Sequence, residues 1–171
     1  MNKLSWPIKV FFITLILAAV FSAASNLLAD LSVVMLVIAL VIVITIGIIF
    51  DMIGVAVLTS KKENFHAMAS KKIKGAKEAI NLINKSTMVA TICNDVVGDV
   101  CGIVSGGLGA ILSIAIANNT SLSLVVSAIM VTAFTSAFTV GGKAYAKIIA
   151  TKNADKIVFR TAKIKKVLSF K

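Results

Sequence analysis

Residues 91–109 are TICNDVVGDVCGIVSGGLG, and this stretch decides the fold predicted for the rest of the chain. It lies inside a long apolar segment and contains Asp95 and Asp99, which are four residues apart and so share one face of a helix. Glycine lowers helix propensity, so a membrane helix that carries several glycines usually packs them against another helix. Small residues that recur at every fourth position predict such helix packing here: Asn94, Gly98, Gly102, Gly106 and Ala110.

The composition indicates an integral membrane protein. The chain has 171 residues, of which 58% are hydrophobic and only 15% are charged, fewer charges than a soluble domain of this length carries. Its net charge of +11, from 18 basic and seven acidic residues, suits either a membrane surface or nucleic acid. Because the basic residues flank apolar segments, we expect the lipid bilayer as the partner and no nucleic acid.

The predicted fold class is an all-α membrane protein with four transmembrane helices plus cytoplasmic amphipathic helices, in a single domain covering residues 1–171. Ser60 and Glu63 have the spacing of a capping box at the start of an interfacial helix. A cleaved signal peptide, ending after Ala24, is the alternative for the first segment and would leave three spans. The predicted spans are about 8–29, 31–59, 88–117 and 122–150, with an interfacial helix at about 61–84 and a basic C-terminal helix at about 153–170.

The distribution of basic residues predicts the topology. Two precede the first span, seven lie at 61–85 and nine at 143–171, while the other two loops have none. The positive-inside rule then places both termini and the long loop in the cytoplasm, for a multi-pass protein of the cell membrane. In the C-terminal helix, we expect Lys163, Lys165 and Lys166 to bind anionic lipid headgroups.

This topology brings acidic residues to the inner half of the membrane. Asp51 approaches from the second span, and Asp95 and Asp99 from the third, while Lys143 and Lys147 lie at the same end of the fourth. Charges at that depth are costly unless they are paired, hydrated or bound to an ion. Two hypotheses therefore stay open, an ion pair of Lys143 with Asp95 or Asp99, and a site for a hard cation such as Mg²⁺.

Nothing in the sequence indicates an enzyme. His66 is the only histidine, and no activated nucleophile accompanies it. The glycine-rich run does not follow a strand, so it is not a phosphate-binding loop.

Three segments carry a resemblance to a known family: FDMIGVAVLTS at 50–60, KKIKGAKEAI at 71–80 and ATICND at 90–95. In their order and character, residues 33–150 resemble the transmembrane domain of the CorB/CorC and cyclin-M (CNNM) magnesium transport proteins. The resemblance implies a homodimer and an ion site in which Asn94 is a ligand, Asp95 its neighbour, and Asp51 lies on or near the polar position of an earlier span. Lys143 and Ala146 stand where that family has glutamate and proline, and its cytoplasmic CBS pair has no counterpart in this sequence.

Two functions follow as hypotheses. The first is divalent-cation transport, with Mg²⁺ as the bound or transported ion and Asp51, Asn94, Asp95 and Asp99 as candidate ligands. The second is a non-transporting membrane interaction, accessory or holin-like protein, in which the acidic residues pair with Lys143 and no metal binds.

Overall fold

The computed structural model describes residues 5–26 and 31–168, and the regular elements within these ranges are helices. Residues 27–29 of the predicted first span and residues 169–170 of the predicted C-terminal helix lie outside the described ranges. A short π-helical segment, Thr91–Val97, joins α5 to α6. The helices are α1 Ser5–Asn26, α2 Val33–Thr59, α3 Lys62–Ser70, α4 Ala76–Asn84, α5 Ser86–Ala90, α6 Gly98–Asn119, α7 Leu124–Lys152 and α8 Ala154–Leu168.

Three helices are long and apolar enough to cross a membrane, namely Val33–Thr59, the continuous run Ser86–Asn119, and Leu124–Lys152. Their ends lie within two residues of the last three predicted spans, because long apolar runs bounded by polar turns are the clearest signal that a sequence gives. In α1, the apolar stretch Ile8–Val20 is shorter. The described residues thus confirm an all-helical chain with three candidate spans.

The predicted interfacial helix over 61–84 is two helices in the structure. α3 ends at Ser70, and α4 begins at Ala76. Lys72 (φ 56°) and Gly75 (φ 98°) between them have left-handed backbone conformations, which a continuous right-handed helix does not allow. The predicted capping box is not formed, since the N-cap of α3 is Lys61 and no side chain caps this helix.

The predicted single domain divides into two compact units, and the chain passes between them within α2, the π-helical segment and α7. Unit 1 comprises residues 1–47 and 96–142. In this unit α1 packs against α6. The buried residues of its core are Leu36, Leu40, Val100, Val104, Leu108, Leu112 and Val131.

Unit 2 comprises residues 48–95 and 143–171. α4 contacts α3, α5 and α8, and small side chains let these helices approach closely. Phe65, 1% exposed, is the largest side chain of the core. The buried core residues are Ala56, Val57, Phe65, Ala79, Leu82, Ala150, Ala154, Val158 and Ala162.

Candidate functional site

Asp51 is a buried carboxylate near the C-terminal end of α2, in unit 2. The residue is 5% exposed, and its Oδ2 atom is buried without a hydrogen-bond partner. Asp51 forms an ion pair with Lys147 on α7, whose Nζ lies 3.9 Å from Oδ2. That distance exceeds a hydrogen bond, and the Lys147 side chain is 55% exposed, so the ion pair is long and partly hydrated.

Asn94 places a second oxygen in the same unit. It lies in the middle of the π-helical segment, and its amide oxygen Oδ1 is buried without a hydrogen-bond partner. The amide packs directly on the backbone of α2 at Gly54, where an added Cβ would overlap Oδ1 and lie 2.7 Å from Cγ. Only glycine at position 54 leaves room for Asn94 in this orientation.

Asp51 and the position that Asn94 contacts, Gly54, lie on the same side of α2. Asp51 and Gly54 are three residues apart on α2, so their positions are adjacent on the helix surface. Buried oxygens without donors are rare in native proteins and need an explanation. A carboxylate and an amide oxygen together are ligands that a hard cation such as Mg²⁺ prefers, and π-helical turns are frequent at functional sites.

Two of the four predicted ligands, Asp51 and Asn94, have a buried side-chain oxygen without a hydrogen-bond partner in unit 2. Asp95 and Asp99 are both exposed, and Asp99 belongs to unit 1. Among the described residues, no three His, Cys, Asp or Glu side chains are grouped so that they could hold a metal ion. The three carboxylates therefore do not form one cluster within the chain. The partner of Asp51 is Lys147 rather than Lys143, and the two described ion pairs are Lys147–Asp51 and Lys166–Glu78.

The glycines predicted for helix packing differ in their surroundings. Gly98 is buried, but a Cβ on Gly102 or Gly106 would meet nothing within 4 Å. Gly109 is the one that faces α7, and an added Cβ there would lie 3.6 Å from Val131 Cγ1, an ordinary contact distance. Gly102 and Gly106 line an open groove of about 230 Å³ in unit 1, together with hydroxyl side chains of α7.

The three lysines expected at lipid headgroups lie on α8 with different contacts. Lys163 Nζ lies 4.4 Å from the centre of the Phe159 ring, and Lys166 Nζ lies 3.5 Å from Glu78 Oε1. Lys165 is exposed. Lys166 therefore also links α8 to α4 through an ion pair, whereas the cation–π contact of Lys163 lies within α8.

No family model, characterised protein or solved structure matches the chain significantly.

Sequence reasoning missed a polar cluster around Asp155, in the first turn of α8. Its Oδ1 accepts hydrogen bonds from Ser60 Oγ (2.5 Å) and the Lys61 N–H (3.2 Å), and its Oδ2 accepts one from Asn64 Nδ2 (2.5 Å). Burial raises the pKa of Asp155, but these hydrogen bonds and the charge of Lys61 outweigh it, so the net pKa lies below its usual value. The available signal was that Asp155 is the one acidic residue in the basic stretch 143–171.

Proposed function

We propose that the chain is a divalent-cation transport protein of the cell membrane that resembles the CNNM/CorB membrane domain. Asp51 and Asn94 are its primary ligands, and Mg²⁺ is the ion. Asp95 and Asp99 are secondary: as exposed carboxylates on the same helical run, they attract the hydrated cation toward the two buried oxygens.

One observation carries this proposal, namely that Asp51 Oδ2 and Asn94 Oδ1 are both buried without hydrogen-bond donors. Both atoms belong to candidate membrane-spanning helices, and an unsatisfied carboxylate is especially costly inside a membrane. A cation would satisfy both oxygens at once, whereas the exposed Lys147 satisfies Asp51 only at long range.

The proposed topology has four spans and both termini in the cytoplasm. α1 is the first span and is added to the three candidate spans. Between Ile8 and Val20, α1 exposes large apolar side chains, including Phe11 (62% exposed) and Ile16 (61% exposed). A helix with such a surface is stable in lipid rather than in water. The two cytoplasmic amphipathic regions, α3–α4 and α8, complete this arrangement.

The proposed assembly is a homodimer. A Cβ added at Gly102 or Gly106 would meet nothing within 4 Å, so this part of the stripe predicted for helix packing has room for a second copy. The adjacent hydroxyls of Thr132 and Ser136 on α7 could donate hydrogen bonds across such a contact.

The test is Mg²⁺ flux into proteoliposomes that contain the full chain. We expect Asp51→Asn and Asn94→Ala each to reduce flux by about tenfold or more, since each removes an oxygen ligand. Asp99→Asn is the matched control, because it removes an exposed charge from the same part of the chain, and it should reduce flux by less than about threefold. Unchanged flux in Asp51→Asn and Asn94→Ala would refute the site. An equally large loss of flux in Asp99→Asn would instead favour the ligand set predicted from the sequence, in which Asp95 and Asp99 are also ligands.

A second candidate function is favoured by the Lys147–Asp51 contact. In this alternative the Lys147 ammonium group, and not a metal ion, balances the charge of Asp51, and the pair joins α7 to α2. The chain is then a non-transporting interaction, accessory or holin-like protein. Exchanging the two charges, as Asp51→Lys with Lys147→Asp, should preserve folding in that case, whereas it removes the proposed Mg²⁺ ligand. A folded exchange variant with wild-type Mg²⁺ flux contradicts the cation site.

A further inference from the structure

A basic cavity lies in unit 2 at the level where two membrane spans end. It has a volume of about 310 Å³, at the lower end of the range for small-molecule sites. The end of α2, the end of α7 and the start of α8 surround it. The residues that matter for its chemistry are Thr59, Lys61, Thr151, Lys152, Asn153 and Lys156.

The charge inside this cavity is positive. Lys61, Lys152 and Lys156 contribute three ammonium groups, and the one carboxylate of the lining is Asp155. That carboxylate already accepts hydrogen bonds at both oxygens from Ser60, Lys61 and Asn64, and it neutralises only one of the three charges. The described ion pairs involve none of the three lysines, and the charge of Lys61 acts on Asp155, so Lys152 and Lys156 are the two lysines left for an anion.

The backbone adds to the attraction for an anion. α8 begins at Ala154 and is 15 residues long, so the unpaired N–H groups and the positive end of its dipole are directed to the same side as Asn153. The hydroxyls of Thr59 and Thr151 donate to carbonyls of their own helices, so their protons do not contribute to anion binding. Converging lysines and a helix N-terminus suit a phosphate group.

The position of the cavity selects the source of that phosphate. α2 ends at Thr59 and α7 ends at Lys152, and both are candidate membrane spans. The cavity is therefore at the depth where phospholipid headgroups lie, and basic pockets between spans at the cytoplasmic surface bind anionic headgroups. We infer that this cavity holds the phosphate of an anionic phospholipid headgroup, at a site separate from the lysines at 163, 165 and 166.

The experiment measures lipid retention by native mass spectrometry of the full chain, reconstituted with either phosphatidylglycerol or phosphatidylcholine and released in detergent. Wild type should retain phosphatidylglycerol and not phosphatidylcholine. The double variant Lys152→Gln/Lys156→Gln should bind phosphatidylglycerol about tenfold more weakly, since each lysine near the surface contributes several-fold. These exposed side chains can be replaced without loss of fold.

The matched control is Lys71→Gln/Lys74→Gln, which removes the same charge from exposed positions between α3 and α4. It should retain phosphatidylglycerol as wild type does. Equal retention by the cavity variant and wild type overturns the inference, as does equal loss in both double variants, which would mean only general attraction to basic surface.

A second arm separates the two sources of phosphate. Inorganic phosphate in large excess should leave the retained phosphatidylglycerol in place and should not raise the melting temperature of the delipidated protein. If inorganic phosphate alone raises that temperature in wild type but not in Lys152→Gln/Lys156→Gln, the cavity is a free-phosphate site and the assignment to lipid is overturned. None of these outcomes depends on cation transport.

Discussion

At the scale of single residues, Asn94 and Gly54 determine the shape of the candidate cation site. The Asn94 amide lies against a backbone that has no side chain, and its oxygen is left without a donor. A carbonyl held in this way is oriented before a ligand arrives, which reduces the entropy cost of binding.

We expect Gly54→Ala to displace the Asn94 amide and to weaken Mg²⁺ flux. The new methyl group would overlap Oδ1, and such overpacking typically costs about 1–3 kcal/mol of stability. Gly141→Ala is the control, because a Cβ there meets nothing within 4 Å and alanine favours the helix. The melting temperature in detergent and the Mg²⁺ flux in proteoliposomes should both fall in Gly54→Ala and stay unchanged in Gly141→Ala. Identical values for the two variants would argue against a tight contact between Asn94 and Gly54.

The second prediction at this scale concerns Lys147. If Asp51 binds a cation, Lys147→Gln should increase Mg²⁺ affinity about threefold to tenfold, because it removes a repulsive charge 3.9 Å from the ligand oxygen, discounted for its exposure. Isothermal titration of the detergent-solubilised chain measures this, with the exposed Lys85→Gln as a control. A fall in melting temperature without any gain in affinity would instead favour the ion-pair hypothesis.

Asp155 gives a prediction for pH. Its folded-state pKa is below the ordinary value of 3.8, so its stabilising effect is complete above that value and is lost as the pH falls through the folded pKa. We expect Asp155→Asn to lower stability at neutral pH by about 1 kcal/mol, or about 2–4 °C in melting temperature for a chain of this size. Wild type and variant should converge in strongly acidic buffer, whereas the exposed Glu63→Gln should match wild type throughout. A difference between wild type and Asp155→Asn that persists unchanged in acid would contradict this account.

At the scale of elements, the π-helical segment explains why the ligand set could be predicted only in part. The four-residue repeat from Asn94 to Ala110 predicted one continuous small face, which assumes α-helical geometry throughout. Hydrogen bonds to the fifth residue in Thr91–Val97 change the rotation per residue, so Asn94 does not continue in α-helical register the four-residue spacing of Gly98, Gly102 and Gly106 in α6. The residue types at 91–97 do not predict a π-helix. The long apolar runs, in contrast, predicted the ends of three candidate spans.

The break between α3 and α4 was also missed, because the apolar period continues across it. We expect Gly75→Ala to destabilise unit 2 by about 1–2 kcal/mol, since φ is 98° and a Cβ would lie 3.1 Å from Lys163 Cγ. Lys72→Gly is the matched change, because Lys72 also has a positive φ, and glycine there should leave stability within about 0.5 kcal/mol of wild type. Thermal melts of both variants test this, and a stable Gly75→Ala would mean that 61–84 can form one helix.

At the scale of the whole molecule, each unit has a separate core, which the sequence did not predict. The basic residues predicted a topology from charge alone, but contacts between positions far apart in sequence, such as Ser60 with Asp155, leave no local pattern. A single apolar period marks a buried face without saying which distant helix covers it.

The proposed topology predicts which loops react with an impermeant thiol reagent. A cysteine at Ser121, exposed between α6 and α7, should react in intact cells, and a cysteine at Ser70 should react only after permeabilisation. The wild-type chain, with Cys93 buried and Cys101 half-buried, measures the background. The opposite pattern would reverse the orientation, and reaction at both sites in intact cells would mean that Ser86–Asn119 does not cross the membrane between them.

The cluster around Asp155 has a consequence for synthesis. Its partners on the α2–α3 side are translated about ninety residues earlier, as their separations of 91, 94 and 95 positions show. While the ribosome is still making α7, the Phe65 side of unit 2 therefore has no α8 to cover it, although α8 later supplies Ala154, Val158 and Ala162 to that core. Unit 2 consequently matures last, and nascent chains that terminate before residue 154 would present an open apolar face to chaperones and proteases.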